Sequence, residues 1–168
     1  SHRPALYIAP GNAGTTQCGT NVDLSPLDFE GIGRFCTAEN IGMVVVGPEE
    51  PLVKGIVDFF QADAGLRRIP VIGPSASGAR LEGSKAFSKK FMERHGIPTA
   101  ASRDFNSANF AEGIAYLQQH ALPVVLKADG LAAGKGVIIC QSTIEAIAEF
   151  ELMIQGSKFG EASSKVVV

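Results

Sequence analysis

Two short β-branched runs, Val124-Val125-Leu126 and Val137-Ile138-Ile139, flank a stretch that reads Lys127-Ala128-Asp129-Gly130-Leu131-Ala132-Ala133-Gly134-Lys135-Gly136. Runs of that length and composition read as strands, and a glycine-rich connection lets them fold back on one another. The segment is therefore expected to be a hairpin and not a strand-to-helix turn. Glycines separated by small residues let backbone N–H groups approach an oxyanion closely, and the lysines add point charges. A phosphate loop is one reading of this segment. A surface hairpin whose glycines serve turn geometry, with solvated lysines, is the other.

Two familiar nucleotide loops are excluded by spacing. A Walker loop needs four residues between its first Gly and the Gly-Lys pair, then Ser or Thr. Here three residues separate Gly130 from Gly134, and Gly136 follows the lysine. The dinucleotide fingerprint fails too, because Gly31-Ile32-Gly33-Arg34-Phe35-Cys36 lacks the third glycine and follows no strand.

With 168 residues and an apolar fraction of 45%, the chain can bury the cores of one large or two small domains. No apolar run reaches membrane-spanning length and no leader pattern opens the chain, so a cytoplasmic protein is expected. A net charge of −2 with dispersed Lys and Arg leaves no electrostatic footprint for nucleic acid. Cys18, Cys36 and Cys140 are widely spaced without a Cys-x-x-Cys, which favours reduced thiols over a disulfide framework or a zinc site. His2, His95 and His120 lie far apart and are assigned no chemistry. No protein partner is inferable.

The first half alternates strands and helices. Ala5–Ala9 is expected as a strand, followed by a turn at Gly11-Asn12-Ala13-Gly14-Thr15. Ser25 as N-cap with Pro26 in the first turn opens a helix to about Asn40. Met43–Val46 is an apolar strand, and Pro51 to about Ala64 a helix with Leu52, Ile56, Phe59 and Phe60 on one face. Pro70–Gly73 is another strand. Strands this apolar, alternating with helices, point to a parallel sheet covered on both faces. Three strands make a thin sheet, so a strand–helix unit is expected to be missing ahead of the first. Pro74–Gly78 reads as a boundary, and Ser84–His95 as a helix with Phe87 and Phe91 on its apolar side, stopped by Gly96 and Pro98. The remainder reads strand, helix (107–121), strand, glycine loop, strand, helix, with Ser142 and Glu145 as a capping box. Val166-Val167-Val168 opens a further strand, and the chain is expected to be cut at both ends.

Five stretches, Gly11–Thr15, Val46-Gly47-Pro48-Glu49-Glu50-Pro51-Leu52, Gly83–Lys89, Gly96–Ala100 and Lys127–Val137, occur in this order. Together they resemble the glycinamide ribonucleotide synthetase family, the phosphoribosylamine–glycine ligases of the ATP-grasp superfamily, over essentially the whole chain. The resemblance implies an α/β chain with a truncated Rossmann-like parallel-sheet N-terminal domain over 1–76. A segment of ATP-grasp core follows over 77–98, then a lid subdomain over 99–168. It also implies ATP-dependent ligation of glycine to 5-phosphoribosylamine in de novo purine biosynthesis, through a glycyl phosphate, with ATP and magnesium. The magnesium ligands and adenine hinge are expected outside this chain. The stretch alone is therefore expected to be inactive, with no catalytic or metal-binding residue assigned within it. A non-catalytic nucleotide-binding module is the alternative; an oxidoreductase is disfavoured by the failed fingerprint.

Residue by residue, the resemblance implies that Lys85 and Lys127 reach the ATP phosphates and that Gly130, Leu131, Ala132, Ala133, Gly134, Lys135 and Gly136 fold over them. Lys89 and Lys90, on the same helix as Lys85, read as surface lysines. Asp129 either shapes the turn on local backbone or touches ligand. Glu49, at the carboxyl edge of the sheet, either accepts ribose hydroxyls or is a favourable acid at a helix start. Gly11, Asn12, Gly14 and Thr15 contact substrate or serve turn geometry.

Overall fold

The computed structural model describes residues 5–132 and 134–168. It divides into two compact units, one up to Ala79 and one from Arg80 to Val168. Among the described residues no helix is long and apolar enough to cross a membrane.

In the first unit β1 (Tyr7–Ile8) pairs in parallel with β2 (Thr20–Asn21), and β3 (Val44–Val45) in parallel with β4 (Val71–Ile72). Parallel neighbours need crossover connections. α2 (Glu49–Val53) and α3 (Ile56–Ala62) supply one between β3 and β4, and α1 (Phe29–Ala38) links β2 to β3. Cys36, Ile56, Val57, Phe60 and Leu66 form the core, with Leu52 and Phe59 packed on it. This is the expected α/β alternation with parallel pairing, and the expected apolar helix face.

Several details differ from the sequence reading. α1 starts at Phe29, not Pro26, because Asp28 takes the cap: its carboxylate accepts from Gly31 N–H at 2.9 Å. An acid there gains from the helix dipole as well as the hydrogen bond. Ser25 instead closes a turn, accepting from Leu27 N–H at 3.2 Å. The helix expected over 51–64 is two helices, broken where Gly55 adopts φ +95°, a left-handed conformation no α-helix contains. The apolar strands are not covered on both faces. Val45 is 71% and Ile72 50% exposed, and the two ladders remain separate. Tyr7, Phe35, Ile41 and Val44 line an apolar cleft of about 1140 Å³ in this unit. An apolar run registers that a strand prefers burial, not what buries it. β2 had no strand signature, and the boundary read at Pro74–Gly78 falls just before the division after Ala79; α4 (Ala76–Gly83) begins within it, its first N–H donating to Asp58 at 2.7 Å.

The second unit is a four-stranded antiparallel sheet in the order β5-β8-β6-β7. β6 (Val124–Ala128) and β7 (Val137–Cys140) form the expected hairpin, with Val124 opposite Cys140 and Lys127 opposite Val137. β8 (Lys165–Val167) runs between β6 and β5 (Asp104–Asn106). α5 (Lys85–Arg94) is capped by Ser84, whose hydroxyl accepts from Phe87 N–H at 3.1 Å. α6 (Phe110–Gln119) follows a 3-10 turn at Ser107–Asn109, and α7 (Thr143–Ile154) is capped by Ser142. Glu145 completes that cap one residue earlier than expected, accepting from Gln141 N–H at 2.8 Å. Phe105, Leu117, Leu126, Phe150, Met153 and Val166 are buried in a single core.

Gly113 on α6 is where that core is tightest. A Cβ there would lie 2.8 Å from Phe150 Cε1 and 3.2 Å from Phe105 Cγ, both on fully buried rings. Gly113→Ala is expected to destabilise the second unit by about 1–3 kcal/mol through overpacking, despite alanine's better helix propensity. Urea denaturation of the two proteins checks it, and equal midpoints would contradict it.

Candidate functional site

Strand alternation decides what Lys127 faces. Val124, Leu126 and Ala128 are buried on the helix side of β6, so Val125 and Lys127 point to the other side. The register brings Val137 and Ile139 to that same side, directly opposite Lys127 and Val125. Both are solvent-accessible, at 47% and 57%. This open face, apolar beside a lysine, was not legible from the runs alone, because only the pairing register shows which residues share it.

The glycine loop closes by backbone bonds. Ala128 N–H donates to Gly136 C=O at 2.7 Å, and Lys135 N–H to Ala132 C=O at 2.9 Å, with Gly134 at φ +77°. Gly134 is required for conformation, since open space surrounds its missing Cβ. Gly130 and Gly136 are required for close approach: a Cβ at Gly130 would lie 2.9 Å from Ala162 Cα, and one at Gly136 would lie 2.8 Å from Ala132 Cβ. Leu131 and Ala132 are half-buried, Gly134 and Lys135 exposed, and Ala133 lies outside the described residues.

Lys85, the first residue of α5, sends its ammonium to the loop. Nζ donates to Gly130 C=O at 3.2 Å and to Asp129 C=O at 3.5 Å. Burial pulls its pKa below the ordinary lysine value; Asp129 opposes the shift, Lys127 adds to it and Glu82 opposes it. Lys85 and Lys127 are thus close enough for one charge to depress the other.

Asp129 corrects the sequence reading. Its carboxylate does not shape the local turn: it accepts from Ser84 Oγ at 3.0 Å and from Ala86 N–H at 2.6 Å, at the start of α5. Helix N-termini attract carboxylates, whatever their distance in sequence. Lys89 and Lys90 are not purely solvated either. Lys89 Nζ donates to Thr99 Oγ1 and to Ala100 C=O, each at 2.7 Å, and Lys90 pairs with Asp104 at 3.4 Å.

The other candidates belong to the first unit. Asn12 Oδ1 accepts from Gly14 N–H at 2.8 Å and Thr15 N–H at 3.2 Å, while Thr15 Oγ1 accepts from Asn12 N–H at 2.7 Å. Asn21 closes the group, donating to Asn12 C=O at 2.8 Å and accepting from Thr15 Oγ1 at 2.7 Å. Gly11, at φ +76°, enters this turn. Asn12 Oδ1 and Thr15 Oγ1 are thus occupied by turn backbone and by Asn21. Glu49 is exposed in the first turn of α2, after β3, as its position in sequence implied.

Residues 1–82 match the model of the phosphoribosylglycinamide synthetase N domain, and residues 83–168 that of the same enzyme's ATP-grasp (A) domain. The chain belongs to the phosphoribosylglycinamide synthetase family. It is 48% identical over 165 residues to a phosphoribosylamine–glycine ligase of Pasteurella multocida, covering 97% of this chain and 37% of that protein. It therefore spans little more than a third of the length of such curated relatives. The solved phosphoribosylamine–glycine ligase of Thermotoga maritima is 31% identical, with a TM-score of 0.69 over 97% of this chain and 37% of its own. The biotin carboxylase domain of Hydrogenobacter thermophilus 2-oxoglutarate carboxylase, solved with MgADP, ADP and bicarbonate, shares the fold. Its TM-score is 0.67 at 23% identity, over 89% of this chain and 33% of its own.

The family's ATP-grasp region supplies a chemical test of the loop. Lys85, Lys127 and Lys135 around backbone N–H groups suit a polyphosphate. Among the described residues no group of three or more His, Cys, Asp or Glu gathers for a metal ion, and none of them is assigned to magnesium.

The depressed Lys85 also has a signature in stability. The folded chain holds this proton less tightly than the unfolded one, so the charged form carries a cost below the folded pKa. That cost is relieved as pH rises through the folded value toward 10.5. The unaltered protein is expected to gain stability relative to Lys85→Met as pH rises through the folded value toward 10.5, read from urea midpoints. A flat difference would mean an unperturbed ammonium.

Proposed function

We propose that this stretch forms the nucleotide-phosphate-binding part of a cytoplasmic phosphoribosylamine–glycine ligase. That enzyme joins glycine to 5-phosphoribosylamine at the expense of ATP, giving glycinamide ribonucleotide, ADP and phosphate. The observation that carries the reading is that two half-buried lysines, Lys85 and Lys127, stand at the root of a glycine hairpin, with Lys85 Nζ on the loop's Gly130 carbonyl. A polyanion suits both charges. Membership of the family and the names of the relatives supply the reaction.

In this reading Lys85 and Lys127 hold the phosphates by charge-assisted bonds, while Gly130 to Gly136, with Lys135, close over them and exclude water from the acyl phosphate. The open sheet face beside Lys127, with Val137 and Ile139, suits an aromatic base. Residues 77–98 act as ATP-grasp core and 99–168 as the lid. Glu49 accepts hydroxyls of the phosphoribosyl group, and the Gly11–Thr15 turn, its Asn12 and Thr15 side-chain oxygens occupied, offers backbone to the same substrate. Magnesium neutralises charge on the transferring phosphoryl group when bound, and none of the residues described here is assigned to it.

Lys127→Ala in the ligase is expected to weaken ATP about tenfold to over a hundredfold, the roughly 1.5–3 kcal/mol of a bond to a charged group. Lys54→Ala, exposed on the first unit, should leave it unchanged. Equal effects would remove the loop from the nucleotide site. Glycine-dependent ADP release tests the reaction: nucleotide binding without it would leave a binding module.

The second substrate site has its own measurement. Glu49→Gln is expected to raise the KM for phosphoribosylamine severalfold while those for ATP and glycine stay put. Unchanged phosphoribosylamine kinetics beside a lowered melting temperature would reduce Glu49 to a helix-terminal acid.

A further inference from the structure

The two residues at which β6 enters the glycine loop are tied by backbone bonds to β8, to the turn before it and to the start of α5. Asp129 N–H donates to Lys165 C=O at 2.9 Å, and Gly130 N–H to Ala162 C=O at 3.1 Å. Asp129 C=O accepts from Lys85 N–H at 3.2 Å and Gly130 C=O from Lys85 Nζ, also at 3.2 Å. Every backbone polar group of this dipeptide is therefore engaged. From Leu131 onward the described backbone bonds are the Ala132–Lys135 turn and the Ala128–Gly136 closure.

The start of α5 is held by the same dipeptide. A helix leaves its first four N–H groups without intrahelical partners. Here Ser84 N–H goes to Arg80 C=O, Lys85 N–H to Asp129 C=O, Ala86 N–H to Asp129 Oδ1 and Phe87 N–H to Ser84 Oγ. Asp129 therefore satisfies two of the four, across more than forty residues of sequence, and its carboxylate is occupied by Ser84 and Ala86. Lys127, on β6, stands two residues before Asp129, and Lys85 stands between Ser84 and Ala86, the two residues the carboxylate grips.

We propose that Asp129 is a positioning residue for the nucleotide. Its carboxylate fastens the first turn of α5 to the root of the glycine loop and so fixes the spacing of Lys85 from Lys127, and the phosphates meet both ammonium groups without reorganisation. The proposal rests on the nucleotide reading above. Asp129 touches no phosphate itself, since its oxygens are taken by donors from α5 and a second anion would be repelled.

A double-mutant cycle in the ligase tests this, with the ATP dissociation constant measured well below the melting temperature. Asp129→Ala is expected to weaken ATP by about tenfold, as Lys85→Ala does, yet by no more than about twofold when Lys85 is already alanine, because the two act as one unit. Asp129→Asn keeps one acceptor oxygen, at the Oδ1 position that takes both Ser84 Oγ and Ala86 N–H, and should recover most of the affinity. Should Asp129→Ala not fold, Ser84→Ala replaces it in the cycle with the same expected loss of effect without Lys85. Additive losses, or an unchanged dissociation constant beside a lowered melting temperature, would reduce Asp129 to a stability residue and overturn the proposal. No ATP binding by the unaltered ligase would instead overturn the nucleotide reading, and the positioning role with it.

Discussion

The register of β6 against β7 is the constraint on which the second unit depends. A slip of one residue in an antiparallel pair would carry Lys127 into the core and Leu126 out of it. Burial forbids that: Val124, Leu126 and Ala128 pack against α6 and α7 with almost no exposure. The hydrophobic side of the strand thus fixes the chemistry of its other side, where Lys127 stands opposite Val137. It also fixes the length of the connection, and hence how far the loop reaches beyond the sheet.

The glycines divide the work within that connection. Gly130 and Gly136 admit close packing, while Gly134 admits a turn. A loop made this way is narrow at its base and unencumbered at its tip, which suits a flap over an extended anion. The first unit shows a different economy. Its turn at Asn12–Thr15 is closed by side chains bonding neighbouring backbone and Asn21, so that shape there is set by polar groups rather than by a core.

What could be read in the sequence was what is decided locally. The hairpin, the cap at Ser142 and the apolar face of Ile56 and Phe60 depend on residues within a turn or two of each other, and all stand in the structure. The family resemblance rested on equally local motifs. The α1 start was misjudged because two good caps, Ser25 and Asp28, stand three apart and local preference hardly separates them. The break at Gly55 was hidden because the apolar period runs on through it. The engagement of Asp129 with α5 left no local trace, since its partners lie 43 to 45 residues away. Exposure of Val45 and Ile72 was equally unreadable, because strand composition carries no information on what lies above the sheet.

The position of β8 governs the order in which the second unit can assemble. The last strand in sequence lies inside the sheet, and β5, the first, reaches the β6–β7 hairpin only through it. The hairpin is a local structure that closes on a microsecond scale, whereas β5 must wait for a partner some sixty residues downstream, Phe105 opposite Val166. On a ribosome the hairpin and α7 emerge while β5 still has no neighbour. Chain growth past Val167 is thus the event that converts a hairpin with helices into a sheet.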